Sequence, residues 1–215
     1  YVSDKTQREF RVAKLDVGLG LTPTIKLKDI YFANAPWSKS SDPMATIGSL
    51  EFSVSLRDLW RGKVLVPRAA MSQANLVFEK SPNQSKNWVL QAPTSSTEPS
   101  KFRIGSISVD QGRLRYIDHA EPFNVDIAVS TFEPVAASTS TDADAAPDNN
   151  RYTTRYAFKG KYHDAGFSGD ALTGSVLSFM ESDVLFPIKG KLNAGTTRLT
   201  VEGTVADVAA ITAID

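Results

Sequence analysis

The stretch that decides the fold is "TPTIKLKDIYFANAPW", residues 22–37. It opens as a strand, with Ile25 and Leu27 apolar at odd positions and Lys26 and Lys28 between them. Successive side chains of a strand point to opposite faces, so this pattern predicts one apolar and one polar face. The phase then flips, and Ile30 and Phe32 are apolar at even positions. A flip at Lys28 and Asp29 is what a β-bulge produces: one extra residue, a local bend and added twist. Asn34, Ala35, Pro36 and Trp37 read as the strand's exit. Pro36 stops the hydrogen-bond ladder, and Trp37 is expected to fold back over the open end. The stretch therefore predicts a strand that curves and then caps.

The same alternation recurs along the chain. Leu50, Phe52 and Val54 alternate with Glu51, Ser53 and Ser55; Val64 and Val66 follow after a turn, and Leu76 and Phe78 lead into Glu79. "ISVDQGRLRY", residues 107–116, reads as a hairpin: Ile107 and Val109 on one arm, Asp110, Gln111 and Gly112 turning, Leu114 and Tyr116 returning. Phe123, Val125, Ile127 and Val129 alternate strictly, as do Tyr156 and Phe158, and then Leu199, Val201 and Val205. Helical periodicity is confined to "SLRDLWRG" (55–62) and "VADVAAITAI" (205–214). "FKGKYHDAGFSGDALTGSV" from Phe158 resembles "IKGKLNAGTTRLTVEGTV" from Ile188, which suggests a sheet that grows by adding similar hairpins. Two polar stretches interrupt the strands. Residues 92–100 read as a linker between an N-terminal unit (1–91) and a continuing one (101–215), and 136–150 as a disordered loop.

Composition narrows the function. The 215 residues carry 24 basic and 24 acidic side chains, without the basic excess of a nucleic-acid binder, so no nucleic-acid partner is expected. The absence of cysteine excludes disulfides and thiolate metal sites. No apolar run reaches the roughly 18–20 residues of a membrane span. His119 and His163 sit in turn-like contexts with no nucleophile or third ligand beside them, and read as exposed turn residues. The glycines of "DVGLGLTP" lack the third glycine and the helix of a dinucleotide fingerprint. Asp142, Asp144 and Asp148 lack the fixed spacing of a calcium loop. No catalytic residue, metal site or cofactor is expected, and the chain reads as a non-enzyme. Trp37, Trp60 and Trp88 read as plugs at the ends of a β-structure, and "SLRDLWRGKV" as a short helical cap over a sheet edge rather than a contact with lipid headgroups.

Several segments together resemble the AsmA family of bacterial envelope proteins, related to TamB and other repeating β-groove proteins. They are "TQREFRVAKLDVGLGLTPTIKLKDIYFANAPW", "MATIGSLEFSVSLRDLWRGKVLVPRAAM", "LVFEKSPNQSKNWVLQ", "IGSISVDQGRLRYID" and "ALTGSVLSFMESDVLFPIKGKLNAGTTRLTVEGTVADV". The resemblance departs at "VAKLDV", where a glycine is expected near Lys14. It implies a mainly β fold: a strongly curved antiparallel sheet forming a taco-like groove, with one or two short helices. It also implies a periplasmic body held at the bacterial inner membrane by an N-terminal helix absent from this chain. Phospholipid would be the partner, carried between the inner and outer membranes in support of outer-membrane integrity.

On that reading the groove candidates are Ile25, Leu27, Leu50, Phe52, Val54, Val64, Val66, Leu76, Phe78, Ile107, Val109, Leu114, Tyr116, Val125, Ile127, Tyr156, Phe158, Leu199 and Val201. Alternation alone also suits a sandwich, in which a second sheet covers the apolar face. Two other functions therefore stand beside lipid carriage: an assembly factor for outer-membrane proteins, acting through envelope protein partners, and a carbohydrate-binding β-sandwich.

Overall fold

A computed structural model of the chain describes residues 3, 6–20, 22–62, 64–90, 102–132, 152–175 and 186–205. The strands are β1 (Phe10–Gly18), β2 (Thr24–Phe32), β3 (Ala45–Ser53), β4 (Val64–Val66), β5 (Ala69–Lys80), β6 (Phe102–Ile104) and β7 (Ile107–Asp110). They continue as β8 (Gly112–Asp118), β9 (Phe123–Thr131), β10 (Thr154–Tyr162), β11 (Ala165–Thr173), β12 (Phe186–Ala194) and β13 (Thr197–Val205). One short helix, α1 (Leu56–Leu59), follows β3. Eleven strands form a single open, curved sheet in the order β1-β2-β3-β5-β8-β9-β10-β11-β12-β13, with β7 also on β5; β4 and β6 make a separate two-stranded sheet. The expected mainly β, curved-sheet fold is what forms. Many strands are nine residues long, about 30 Å. No second sheet covers the apolar face among the described residues, so the sandwich reading, and with it the carbohydrate-binding sandwich, is corrected.

The sheet is mixed rather than wholly antiparallel. Residues 64–80 run parallel to residues 102–118 at a constant offset: Val64 pairs with Phe102, Ala69 with Ile107, Asn75 with Arg113 and Lys80 with Asp118. Parallel neighbours need a long crossover, which residues 81–101 supply. The expected hairpin at 107–116 is therefore corrected. β7 and β8 continue each other along β5, and Asp110-Gln111-Gly112 is a corner within one path.

That corner extends across the sheet. Asp29, Gln73 and Gln111 take left-handed conformations, with φ of 51°, 52° and 53°. Register places Asp29 opposite Gly48, Gly48 opposite Gln73, and Gln73 beside Gln111. Every strand crossing this line changes phase: Phe10 and Val12 give way to Leu15 and Val17, Ile25 and Leu27 to Ile30 and Phe32, Ala45 and Ile47 to Leu50 and Phe52, Ala69 and Met71 to Ala74 and Leu76, and Ile107 and Val109 to Leu114 and Tyr116. Lys28 pairs with Ser49 and Ile30 with Ile47, so no extra residue is present and the expected bulge is corrected to an in-register, left-handed corner. The flip keeps the apolar side chains on one face. A Cβ on Gly112 would stand 2.5 Å from Val109 Cγ1 and 2.6 Å from Val129 Cγ1, so side chains from both sides of the corner share that face.

β9 to β13 follow one another by simple antiparallel pairing. The β10–β11 and β12–β13 hairpins are the two similar segments read from sequence, each with a two-residue turn containing a positive-φ residue, His163 or Gly195. The segments 92–100 and 136–150, and nearly all of 205–214, lie outside the described residues.

Candidate functional site

Directly paired residues lie on the same side of a sheet, so register defines the faces. Leu27 pairs with Leu50, Leu50 with Met71, and Met71 with Val109; Ile25, Phe52, Ala69 and Ile107 form the next row. Beyond the corner, Leu76 pairs with Leu114, Leu114 with Ile127 and Ile127 with Phe158; Phe78, Tyr116 and Val125 form the parallel row. Tyr156 pairs with Val129, while Leu199 and Val201 close the far side through Leu192 and Gly190. Sixteen candidates thus lie on this face: Ile25, Leu27, Leu50, Phe52, Leu76, Phe78, Ile107, Val109, Leu114, Tyr116, Val125, Ile127, Tyr156, Phe158, Leu199 and Val201. Three are not brought to it by register. Val54 lies just past the end of β3, and Val64 and Val66 belong to β4 in the small sheet. Alternation marks an apolar strand face but not the sheet to which it belongs.

The face carries an aromatic seam. Trp88 lies between Phe78 and Tyr116, with ring centroids 5.3 and 6.0 Å away. Tyr116 meets Phe123 at 5.9 Å; Phe123 stacks on Phe167 at 5.9 Å, and Phe167 meets Phe158 at 6.4 Å. Glycines let the rings lean across the strands. A Cβ on Gly160 would stand 2.6 Å from Phe167 Cζ, and one on Gly169 2.5 Å from Phe158 Cζ. Burial pushes the Tyr116 and Tyr156 phenols up, which keeps them neutral. Most of these side chains remain half-exposed, and among the described residues no second layer packs on them. Phe167 is not singled out in the sequence, and Trp88 reads there as an end plug rather than as part of this face. Phe167 is flanked by glycine and serine, and Trp88 reaches the face only through the crossover.

The reverse face is polar. Arg115 bridges Asp126 at 2.8 Å and Asp42 at 3.2 Å, and a hollow of about 770 Å³ beside it is lined by Asn75, Arg113 and Lys159 together with Leu114, Ile127 and Phe158 of the apolar rows. At one end of this face the β2–β3 loop covers Glu79, which is fully buried. Asn34 Nδ2 and Ser38 Oγ donate to Glu79 Oε1 at 2.6 and 2.5 Å, and His119 Nε2 lies 3.1 Å from Oε2. Asn87 accepts from the Glu79 N–H and donates to Asn34 Oδ1, while Arg8 donates to the Asn87 carbonyl. Burial raises the Glu79 pKa, but the hydrogen bonds from Ser38, His119 and Asn34 outweigh it and hold the carboxyl below its usual value. Every polar atom of the carboxylate is occupied, so this cluster anchors the loop.

Three expectations change here. His119 lies in a turn but is paired with a buried acid, whereas His163 is a plain exposed turn residue. Trp37 is exposed; its neighbours Asn34 and Ser38 make the fold-back contacts. α1 is not a seated cap, because none of its residues is buried.

Among the described residues no group of three or more His, Asp or Glu is placed to hold a metal, and no helix is long and apolar enough to cross a membrane. The fold and face define an open β-sheet protein whose main feature is one continuous, half-exposed apolar surface with a polar reverse. The chain matches the AsmA family over residues 1–215 and belongs to that family, whose members are bacterial envelope proteins. No curated protein matches it.

Proposed function

We propose that this chain is the periplasmic part of an inner-membrane-anchored envelope protein. It shelters phospholipid acyl chains on its apolar face and supports lipid transport between the inner and outer membranes. The observation that carries the reading is the continuity of that face from β1 to β13, with no covering layer among the described residues. Each CH₂ removed from water is worth about 0.8 kcal/mol, so two acyl chains crossing water would face a barrier on the order of 20 kcal/mol. A continuous apolar surface lowers that barrier at every step and needs no bond-making chemistry. The nine-residue strands, about 30 Å long, leave room for acyl chains to lie across the sheet.

The test is photocrosslinking from probes at Leu114, Ile127 and Phe158, compared with the outward-facing positions Lys26 and Glu51. Phospholipid adducts concentrated on the first set are expected. Equal labelling of both sets removes the reading. Native mass spectrometry of gently purified protein then separates the remaining alternative, since an assembly factor would retain a protein partner and no phospholipid.

A further inference from the structure

Five exposed large apolar side chains lie on neighbouring elements at one corner. Leu15, Val17 and Leu19 lie on β1 and the β1–β2 turn, and Leu59 and Trp60 at the end of α1; Leu19 is 94% and Trp60 88% exposed. The two groups are joined through the backbone: Thr24 pairs with Ser53, and the Val54 N–H donates to the Pro23 carbonyl at 3.0 Å. α1 is a defined turn. Ser55 caps it by accepting from the Asp58 N–H, and Gly62 ends it at a φ of 72°. The exposed Arg57 and Arg61 flank the tryptophan and form no ion pair among the described residues.

We infer that this corner docks on an anionic lipid bilayer at headgroup depth. Trp60, Leu59 and Leu19 would enter the interface, and Arg57 and Arg61 would meet lipid phosphates. A tryptophan with adjacent aliphatic and basic side chains matches the layered chemistry of that zone. Arg57 and Arg61, with no ion pair among the described residues, favour a negatively charged surface over an apolar protein partner. Among the described residues β1 is the edge strand of the sheet, which limits insertion, because edge backbone groups are costly in hydrocarbon. Leu15 and Val17 pair with Leu27 and Ile25, so the docked corner is continuous with the apolar face. This placement deepens the lipid-carrying reading and rests on it: the corner is where acyl chains pass between bilayer and sheet.

The chain has no cysteine, so Leu19→Cys attaches a single polarity-sensitive dye at the turn. Vesicles of phosphatidylcholine with phosphatidylglycerol are expected to blue-shift the dye and sediment the protein; pure phosphatidylcholine should do so weakly. Arg57→Gln and Arg61→Gln should each lower partitioning onto the anionic vesicles about fivefold, the equivalent of ~1 kcal/mol per basic residue at a charged surface. Trp60→Ala should weaken binding to both vesicle types. Near-UV circular dichroism checks that each variant is folded. No vesicle-induced shift, or binding unchanged in the folded variants, overturns the docking site. Vesicle binding without phospholipid crosslinks on the apolar face leaves the docking site standing and removes the carriage reading.

Discussion

The two halves of the sheet solve one problem in different ways. β1, β2, β3, β5 and the β7–β8 path cross a shared corner, where left-handed residues turn the strands and reset their phase. β9 to β13 have no such residue within a strand; their positive-φ residues are confined to turns. There, large rings lean over glycines at 160 and 169. The first half spends backbone strain on a line of corners, and the second spends side-chain volume. Both keep one face apolar, so the face rather than any local geometry is the common requirement.

The first half also holds the buried polar anchor, and removing it should give the largest effect. Glu79→Ala leaves Asn34, Ser38 and His119 unmatched at a fully buried site. The expected loss is roughly 3 kcal/mol, the upper end of the cost of leaving a buried hydrogen-bonding group unsatisfied. Urea denaturation measures it. Glu202→Ala, which breaks an exposed pair with Lys189 in the second half, should cost at most about 1 kcal/mol. Equal losses would show that the halves are not differently anchored.

Acid should distinguish the halves in the same way. The folded Glu79 carboxyl lies below its ordinary value near 4.5. Its ionised form therefore contributes stability that is complete above that value and is lost as pH falls through the lower folded pKa. Asp118 on β8 behaves alike. Burial raises its pKa, while the Lys80 hydrogen bond and the Glu121 and Ala120 N–H groups lower it further. Hydrogen exchange at falling pH should loosen β5 and β8 before β10 to β12. Simultaneous loosening would remove these carboxylates as the cause.

The second half should break on volume. A Cβ at Gly169 meets the Lys191 carbonyl and Phe158 Cζ, and backbone cannot yield as a side-chain tip can. Gly169→Val is expected to cost about 2–3 kcal/mol, the upper part of the overpacking range. It should also shift the near-UV signal of the aromatic seam. A neutral outcome would mean that the rings are not held over glycine.

What was legible in the sequence follows the same division. The straight strands of the second half, such as Phe123–Thr131, show plain alternation, and the repeated hairpins were visible because they pair locally. The phase flip at Asp29 was also visible, but a bulge and a left-handed corner leave the same trace; only the partner strand's register separates them. Asp110-Gln111-Gly112 looked like a turn because its residues suit one. The parallel partner that makes it a corner lies 38 residues away. Gln73 and Gln111, and Leu76 and Leu114, are identical at that offset, a signal too sparse to call a repeat. The apolar face was legible residue by residue, whereas Glu79 was not. At the end of an alternating strand it reads as a solvent-side acid, and its burial comes from a loop that follows a different strand.

The smallest effect tests the corner itself. A left-handed L-residue costs about 1–2 kcal/mol, and glycine in a strand costs about 0.5–1 kcal/mol in chain entropy. Gln73→Gly should therefore leave stability unchanged or raise it by up to about 1 kcal/mol. Gly48 stands opposite, where a Cβ would lie 2.6 Å from Gln73 Oε1 and 3.1 Å from Gln73 Cβ. The first contact can swing away but the second cannot, so Gly48→Ala should cost about 1 kcal/mol, the low end of the overpacking range. In the Gln73→Gly background that obstacle is gone, and the alanine should be neutral or stabilising. A coupling of about 0.5–1 kcal/mol in the double-mutant cycle is expected, as for residues in direct contact. Strict additivity would mean that the glutamine side chain does not pack across Gly48, leaving the backbone conformation alone to set the bend.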